Sequence, residues 1–201
     1  MPTSSTQNLA AFAMLTALAC TPAAAAEPPG YTLARQGDMH DFDFLGGAWT
    51  TVQRRLKARN TGSRDWEEFP AILCLTQYLD GIANVDELHM PTLGRRGLTL
   101  RAFDTQKRQW SIYWVSSPSG RLDPIPVVGG FQGGRGEFYG EDKDGDKPVK
   151  VRFIWESLDR DHARWAQAFS YDDKTWETNW TAEFTRADPA RLCDQGRPRR
   201  S

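Results

Sequence analysis

The chain has 201 residues, with 25 Lys and Arg against 26 Asp and Glu and a formal net charge of −1. That balance excludes the basic stripe of a nucleic-acid-binding protein. Three cysteines and three histidines, none at ligand spacing from another, argue against a metal site.

Leu9 to Ala19 is an apolar run without charge, shorter than the ~20 residues a membrane-spanning helix needs. Ala24-Ala25-Ala26 before Glu27 gives a small-residue cleavage pattern. Residues 1–26 therefore read as a signal peptide, and the protein as exported, periplasmic or extracellular. Met1 to Asn8 lacks Lys and Arg, which keeps an Ala-rich leader as an alternative. Cys20 adds a second alternative, a lipoprotein. Residues 27–37 read as a linker and 38–186 as one domain with a core. No other stretch is long and apolar, so no membrane span is expected. Residues 187–201 carry Arg191, Arg197, Arg199 and Arg200 and read as a basic, disordered tail. Cys74 and Cys193 are either two thiols or one disulfide, which an oxidising compartment permits.

His40 to Leu45 suggests a short helix or turn ahead of the first strand. Phe42, Leu45 and Trp49 are positioned to plug a barrel end. His40, flanked by Asp38, Asp41 and Asp43, is either a general base held by a carboxylate or a solvated residue in a capped turn. Roughly eight to ten strands follow, with candidates at 48–58, 66–78, 84–90, 96–103, 109–116, 125–132, 135–141, 148–157, 162–170 and 176–186. Their signal is a period of two. Trp110, Ile112 and Trp114 share a face, as do Val151, Phe153 and Trp155, and Trp165, Gln167 and Phe169. Trp176, Thr178, Trp180, Ala182 and Phe184 form the longest such series, with Glu177 and Glu183 opposite.

Turn residues separate the runs, as at Asp142 to Pro148 and Asp172 to Lys174. Asp142, Asp144 and Asp146 begin like a calcium loop. Lys147 at the sixth place and Phe153 at the twelfth break that pattern and leave a charged hairpin. Gly129, Gly130, Gly133, Gly134, Gly136 and Gly140 lie among strand residues, so they read as turns and close approaches, not as a phosphate cradle. His89 shares parity with Val85 and Glu87. It is either a ligand for a metal or haem or a structural histidine.

A sheet of about 8–10 antiparallel strands with one apolar face tends to curl and close. The expected fold is all-β, a single up-and-down barrel, with a two-sheet sandwich as the alternative. Trp110, Trp114, Trp155, Trp165, Trp176 and Trp180 would face inward, either wrapping a flat apolar or aromatic ligand or filling the interior. Tyr113, Gln167, His89, Arg101 and Asn179 would supply polar anchors.

Several runs resemble a bacterial family of uncharacterised secreted or cytosolic proteins. They are Asp41-Phe42-Asp43-Phe44-Leu45 with Trp49, Gly81 to Glu87, Arg96 to Arg101, Trp110 to Trp114, Gly133 to Gly140, Val151 to Trp155, Trp165 to Phe169 and Trp176 to Trp180. The resemblance implies a calycin-like barrel, similar to lipocalins, fatty-acid-binding proteins and nitrobindins, whose relatives carry small apolar ligands or haem. It lends no catalytic residue. Haem in nitrobindin-like barrels depends on a late proximal histidine, and the late strands offer only His162, at a turn, so no cofactor is expected. The sequence thus reads as an exported barrel binding a small apolar or aromatic ligand through Trp110, Tyr113, Trp114, Trp155, Trp165, Gln167, Trp180 and His89. Its rivals are a lyase or isomerase using His40 or His89 with a carboxylate, and a filled structural or partner-binding module.

Overall fold

A computed structural model describes Met1 and residues 27–199; the leader read at 1–26 lies outside the described residues, Met1 apart. Ten strands follow in chain order: β1 (Gly47–Leu56), β2 (Trp66–Tyr78), β3 (Ala83–Met90), β4 (Arg95–Asp104), β5 (Gln109–Ser116), β6 (Val127–Gln132), β7 (Arg135–Asp144), β8 (Lys147–Ser157), β9 (His162–Ser170) and β10 (Glu177–Ala187). Each pairs antiparallel with its sequence neighbours, and β10 closes on β1 to complete a barrel. Closure removes both edges of the sheet, the solution the alternating pattern called for. The sandwich alternative is thereby set aside. Among the described residues no helix is long and apolar enough to cross a membrane.

The register settles which parity faces the interior. Trp49, Thr51 and Gln53 of β1 pair with Leu73, Ala71 and Phe69 of β2, and the same side continues around the barrel through Leu88, Thr99, Trp114, Phe138, Trp155, Trp165 and Ala182. Arg152 and Glu183 take the other parity, as strand alternation requires.

One end is plugged. A 3-10 turn at Asp43–Leu45 carries Phe42 and Leu45 into the barrel, both buried. The Phe42 ring meets Trp110 edge-on at 5.1 Å and Phe131 at 5.2 Å, and stacks on Phe138 at 5.6 Å. Polar groups hold the plug in place. Trp49 Nε1 donates to the Leu45 carbonyl at 2.8 Å, and Trp110 Nε1 to the Asp38 carbonyl at 2.9 Å. Arg186 donates to the carbonyls of Gly46 and Phe44 while its guanidinium lies 4.2 Å from the Trp49 ring centre. Phe42, Leu45 and Trp49 therefore close one barrel end, as the sequence predicts.

Three expectations need correction. Trp176 faces outward. The β9–β10 register slips between Thr178 and Trp180, a bulge at Asn179. One extra residue reverses the parity of everything before it, so Trp176 packs outside against Tyr139, donating to the Pro29 carbonyl at 2.9 Å. The same slip puts Glu177 opposite inward-facing Phe169, at the rim, and not on the outer wall. The third concerns residues 187–199, which are not a free tail. They form a turn of helix α1 (Pro189–Leu192) and a ribbon of β11 (Cys193–Asp194) and β12 (Arg197–Pro198), fastened to β2 by a Cys74–Cys193 disulfide with a Cα separation of 6.0 Å. The cross-link and the Asp188 cap, which accepts from the Ala190 N–H, outweigh the local Arg content. The stretch read as a linker lies along the outer wall, where Gln109 donates to the carbonyls of Leu33 and Arg35, and Arg35 pairs with Glu137.

Candidate functional site

The half of the barrel opposite the plug holds a cavity of about 140 Å³. Its walls come from nearly every strand, because each contributes every second residue to the interior. Trp114 of β5, Phe153 and Trp155 of β8, Trp165 of β9 and Trp180 and Phe184 of β10 supply the rings, with Leu73, Leu88, Ile112 and Ala182 between them. The rings brace one another: Trp165 meets Phe153 at 5.2 Å and Trp180 at 5.8 Å, both edge-on. Such aromatic pairs gain from their quadrupoles beyond simple burial. Trp114 lies directly over Gly97, where a Cβ would come within 1.8 Å of the indole. Only glycine leaves room for that ring at the mouth.

The floor is polar. Arg101 of β4 and Asp86 of β3 form a buried ion pair at 2.5 Å, with side chains 3% and 1% exposed. Arg101 also donates to Asn84 Oδ1 at 3.1 Å, and its guanidinium stacks 5.0 Å from the Phe42 ring centre, which sets it on top of the plug. Asp86 Oδ1 and Arg101 Nε are buried without a hydrogen-bond partner among the described residues. Buried polar atoms ordinarily find one, so this floor retains both an acceptor and a donor. Gln53 bridges the wall, accepting from Trp180 Nε1 and donating to Thr51 Oγ1, both at 2.8 Å. Gln167 donates to Asn179 Oδ1 at 2.8 Å.

The mouth is acidic. Asp123 lies in the loop between β5 and β6, tied by its N–H to the Trp114 carbonyl at 3.0 Å. It lines the cavity with Asp142, near the end of β7. Loss of surrounding water raises the Asp123 carboxyl above its ordinary range, and the Asp142 charge adds to that.

Of the residues singled out from sequence, Trp114, Trp155, Trp165, Gln167, Trp180 and Arg101 come together around this cavity. Trp110 faces inward but is consumed by the plug. Tyr113 and His89 do not reach the cavity, because both have the outward parity. Tyr113 pairs with Leu100, and His89 with Ile72 and Arg96. Loss of water and then the Arg96 charge lower the His89 pKa, with Glu87 opposing. His40 sits outside the plug with its side chain 65% exposed, bonded through Nδ1 to Asp43 at 2.9 Å. Neither histidine of the enzyme alternative therefore touches the cavity.

Sequence reasoning missed Asp86, Asp123, Asp142, Gln53, Thr99 and Phe153 as cavity residues. Phe153 was legible from its parity with Trp155. Asn84, Asp86, Leu88 and Met90 are buried and alternate with half-buried Ala83, Val85, Glu87 and His89, a signal hidden by placing His89 on the inner face. Among the described residues no group of three or more His, Cys, Asp or Glu is arranged to hold a metal ion. Neither the models of known protein families nor the curated proteins provide a match to this chain.

Proposed function

We propose that the barrel is a binding protein for one small, largely apolar ring compound. The observation that carries this is the cavity itself: about 140 Å³, walled by six aromatic side chains and open at the end opposite a tightly packed plug. A pocket of mostly apolar lining with a few convergent polar groups is the usual form of a small-molecule site. Its size sets the ligand class, since a cavity of about 150 Å³ accommodates benzene. Haem and long-chain fatty acids are too large to fit in it. The calycin-like reading of the sequence agrees with a barrel of this kind. The Cys74–Cys193 disulfide supports an oxidising compartment, and with it export with cleavage after Ala26. The intact mass of protein recovered from its host tests that point; a chain beginning at an acylated Cys20 would replace it with the lipoprotein reading.

Titrating the purified protein with toluene, indole, dodecanoate and haem, read by tryptophan emission, tests the ligand class. Toluene and indole are expected to change the emission and saturate at one equivalent, while dodecanoate and haem leave it unchanged. Silence toward both ring compounds would leave the structural-module reading in place of the carrier.

A further inference from the structure

The cavity is not neutral. Three carboxylates, Asp86, Asp123 and Asp142, line it against the single guanidinium of Arg101. Arg101 is already matched with Asp86 at the floor, so the excess negative charge lies at the mouth. Three cations near the rim are engaged elsewhere, while Lys143, next to Asp142 in the chain, borders the outer groove that Asp123 and Asp142 also line. Arg55 pairs with Glu67 at 2.5 Å, Arg59 with Asp144, and Lys150 with Glu141 at 2.5 Å. Asp123 and Asp142 have no ion-pair partner among the described residues, and the wall between floor and mouth is aromatic. An aromatic face attracts a cation through its quadrupole, and an anion entering here meets like charge. At the floor the requirement differs. A second cation would be repelled by Arg101, whereas a neutral hydroxyl would donate to the free Asp86 Oδ1 and offer its oxygen to the Arg101 guanidinium, whose Nε also has no partner.

The geometry points to a phenolic amine as the ligand: a hydroxyl-bearing ring seated among Trp114, Phe153, Trp165 and Trp180, its hydroxyl on the Asp86–Arg101 floor and its ammonium at the Asp123–Asp142 mouth. This rests on the cavity being a binding site for a ring compound and adds the chemistry of the two ends.

Calorimetry on the whole protein at low ionic strength separates the two claims. The probes are tyramine, 4-ethylphenol, phenethylamine and 3-(4-hydroxyphenyl)propionate, similar in ring and length but differing in their ends. Tyramine is expected to bind about tenfold more tightly than 4-ethylphenol, with the propionate weakest, and the preference for the amine should shrink in 0.5 M salt as screening grows. Phenethylamine, lacking the hydroxyl, should bind about tenfold more weakly than tyramine. In the Asp123→Asn/Asp142→Asn variant, whose changes sit at the exposed rim, the ratio of tyramine to 4-ethylphenol affinity should fall to about one. A thermal melt confirms that this variant is folded. If 4-ethylphenol or the propionate binds as well as tyramine, the amine assignment is wrong while the ring cavity stands. If phenethylamine equals tyramine, the hydroxyl assignment is wrong. If none of the four binds, the cavity reading falls and takes the amine with it.

Discussion

The two ends of this barrel are built from the same kind of residue and do opposite things. At the plugged end Phe42, Trp49, Trp110 and Phe138 are almost wholly buried, and each indole N–H is capped by a backbone carbonyl of the plug. At the open end Trp114, Trp165 and Trp180 are only half buried and surround space. What separates the halves is one short segment, Asp38 to Gly46, that enters the barrel from one side. A tryptophan-rich interior is thus neither a filled core nor a pocket by composition; the chain segment that enters it decides. Trp155 marks the border, meeting Phe42 edge-on at 6.0 Å on one side and lining the cavity on the other.

Substitutions at each end offer ways to break this contrast. Phe42→Ala or Trp110→Ala removes a close-packed ring and is expected to cost about 3–5 kcal/mol in chemical denaturation. Trp180→Ala, beside existing space, should cost about 1–2 kcal/mol and lose most of the ligand response instead. Equal costs at Trp110 and Trp180 would mean that the open half is packed as tightly as the plug.

The floor between the halves gives a sharper test. Arg101→Met leaves Asp86 charged and buried, which is expected to cost about 3–5 kcal/mol. Adding Asp86→Leu should recover most of the loss, because two apolar side chains of similar size replace the pair without an orphaned charge. If the double variant is as unstable as the single, Arg101 acts through packing on Phe42 and Trp155 and not through its charge.

Reducing the Cys74–Cys193 cross-link should cost about 2–4 kcal/mol on the chain-entropy account and leave the affinity for ring compounds intact, since the bond lies on the outer wall. A change in affinity on reduction would tie the C-terminal ribbon to the cavity. The smallest effect belongs to the rim turn after β9. Asp172 accepts from the N–H groups of Lys174 and Thr175 and from the Thr175 hydroxyl. The Thr175 and Lys174 amides hold its carboxyl at about 2, down from 3.8. A folded-state pKa below the unfolded one means that the stabilisation is present above about pH 4 and is lost as pH falls toward 2. Carboxyl resonances followed by NMR should show Asp172 titrating near 2, and a midpoint near 4 would mean that the turn does not hold it.

Much of the barrel was legible because strand parity repeats. Trp110, Ile112 and Trp114, or Val151, Phe153 and Trp155, cannot be shifted by one residue without exposing rings and burying charge. The plug was legible because Phe42, Leu45 and Trp49 precede the first strand beside glycines that allow a sharp entry, with Gly47 at φ +98°. What escaped detection breaks the period or lies outside it. The bulge at Asn179 has no sequence mark, so Trp176 was carried to the wrong face and Glu177 off the rim. Asp123 lies in an aperiodic loop beside Pro124 and Pro126, and only the fold brings it over Trp114. The Asp86–Arg101 pair joins two strands through register, which composition does not show.

Indole N–H resonances of the 15N-labelled protein, recorded as toluene is added, test the division into halves most directly, because the eight tryptophans report separately. Trp114, Trp155, Trp165 and Trp180 should shift and saturate together, while Trp49 and Trp110 in the plug and Trp66 and Trp176 on the outer wall stay in place. Shifts at Trp49 and Trp110 equal to those at Trp165 and Trp180, or shifts confined to Trp66 and Trp176, would contradict it.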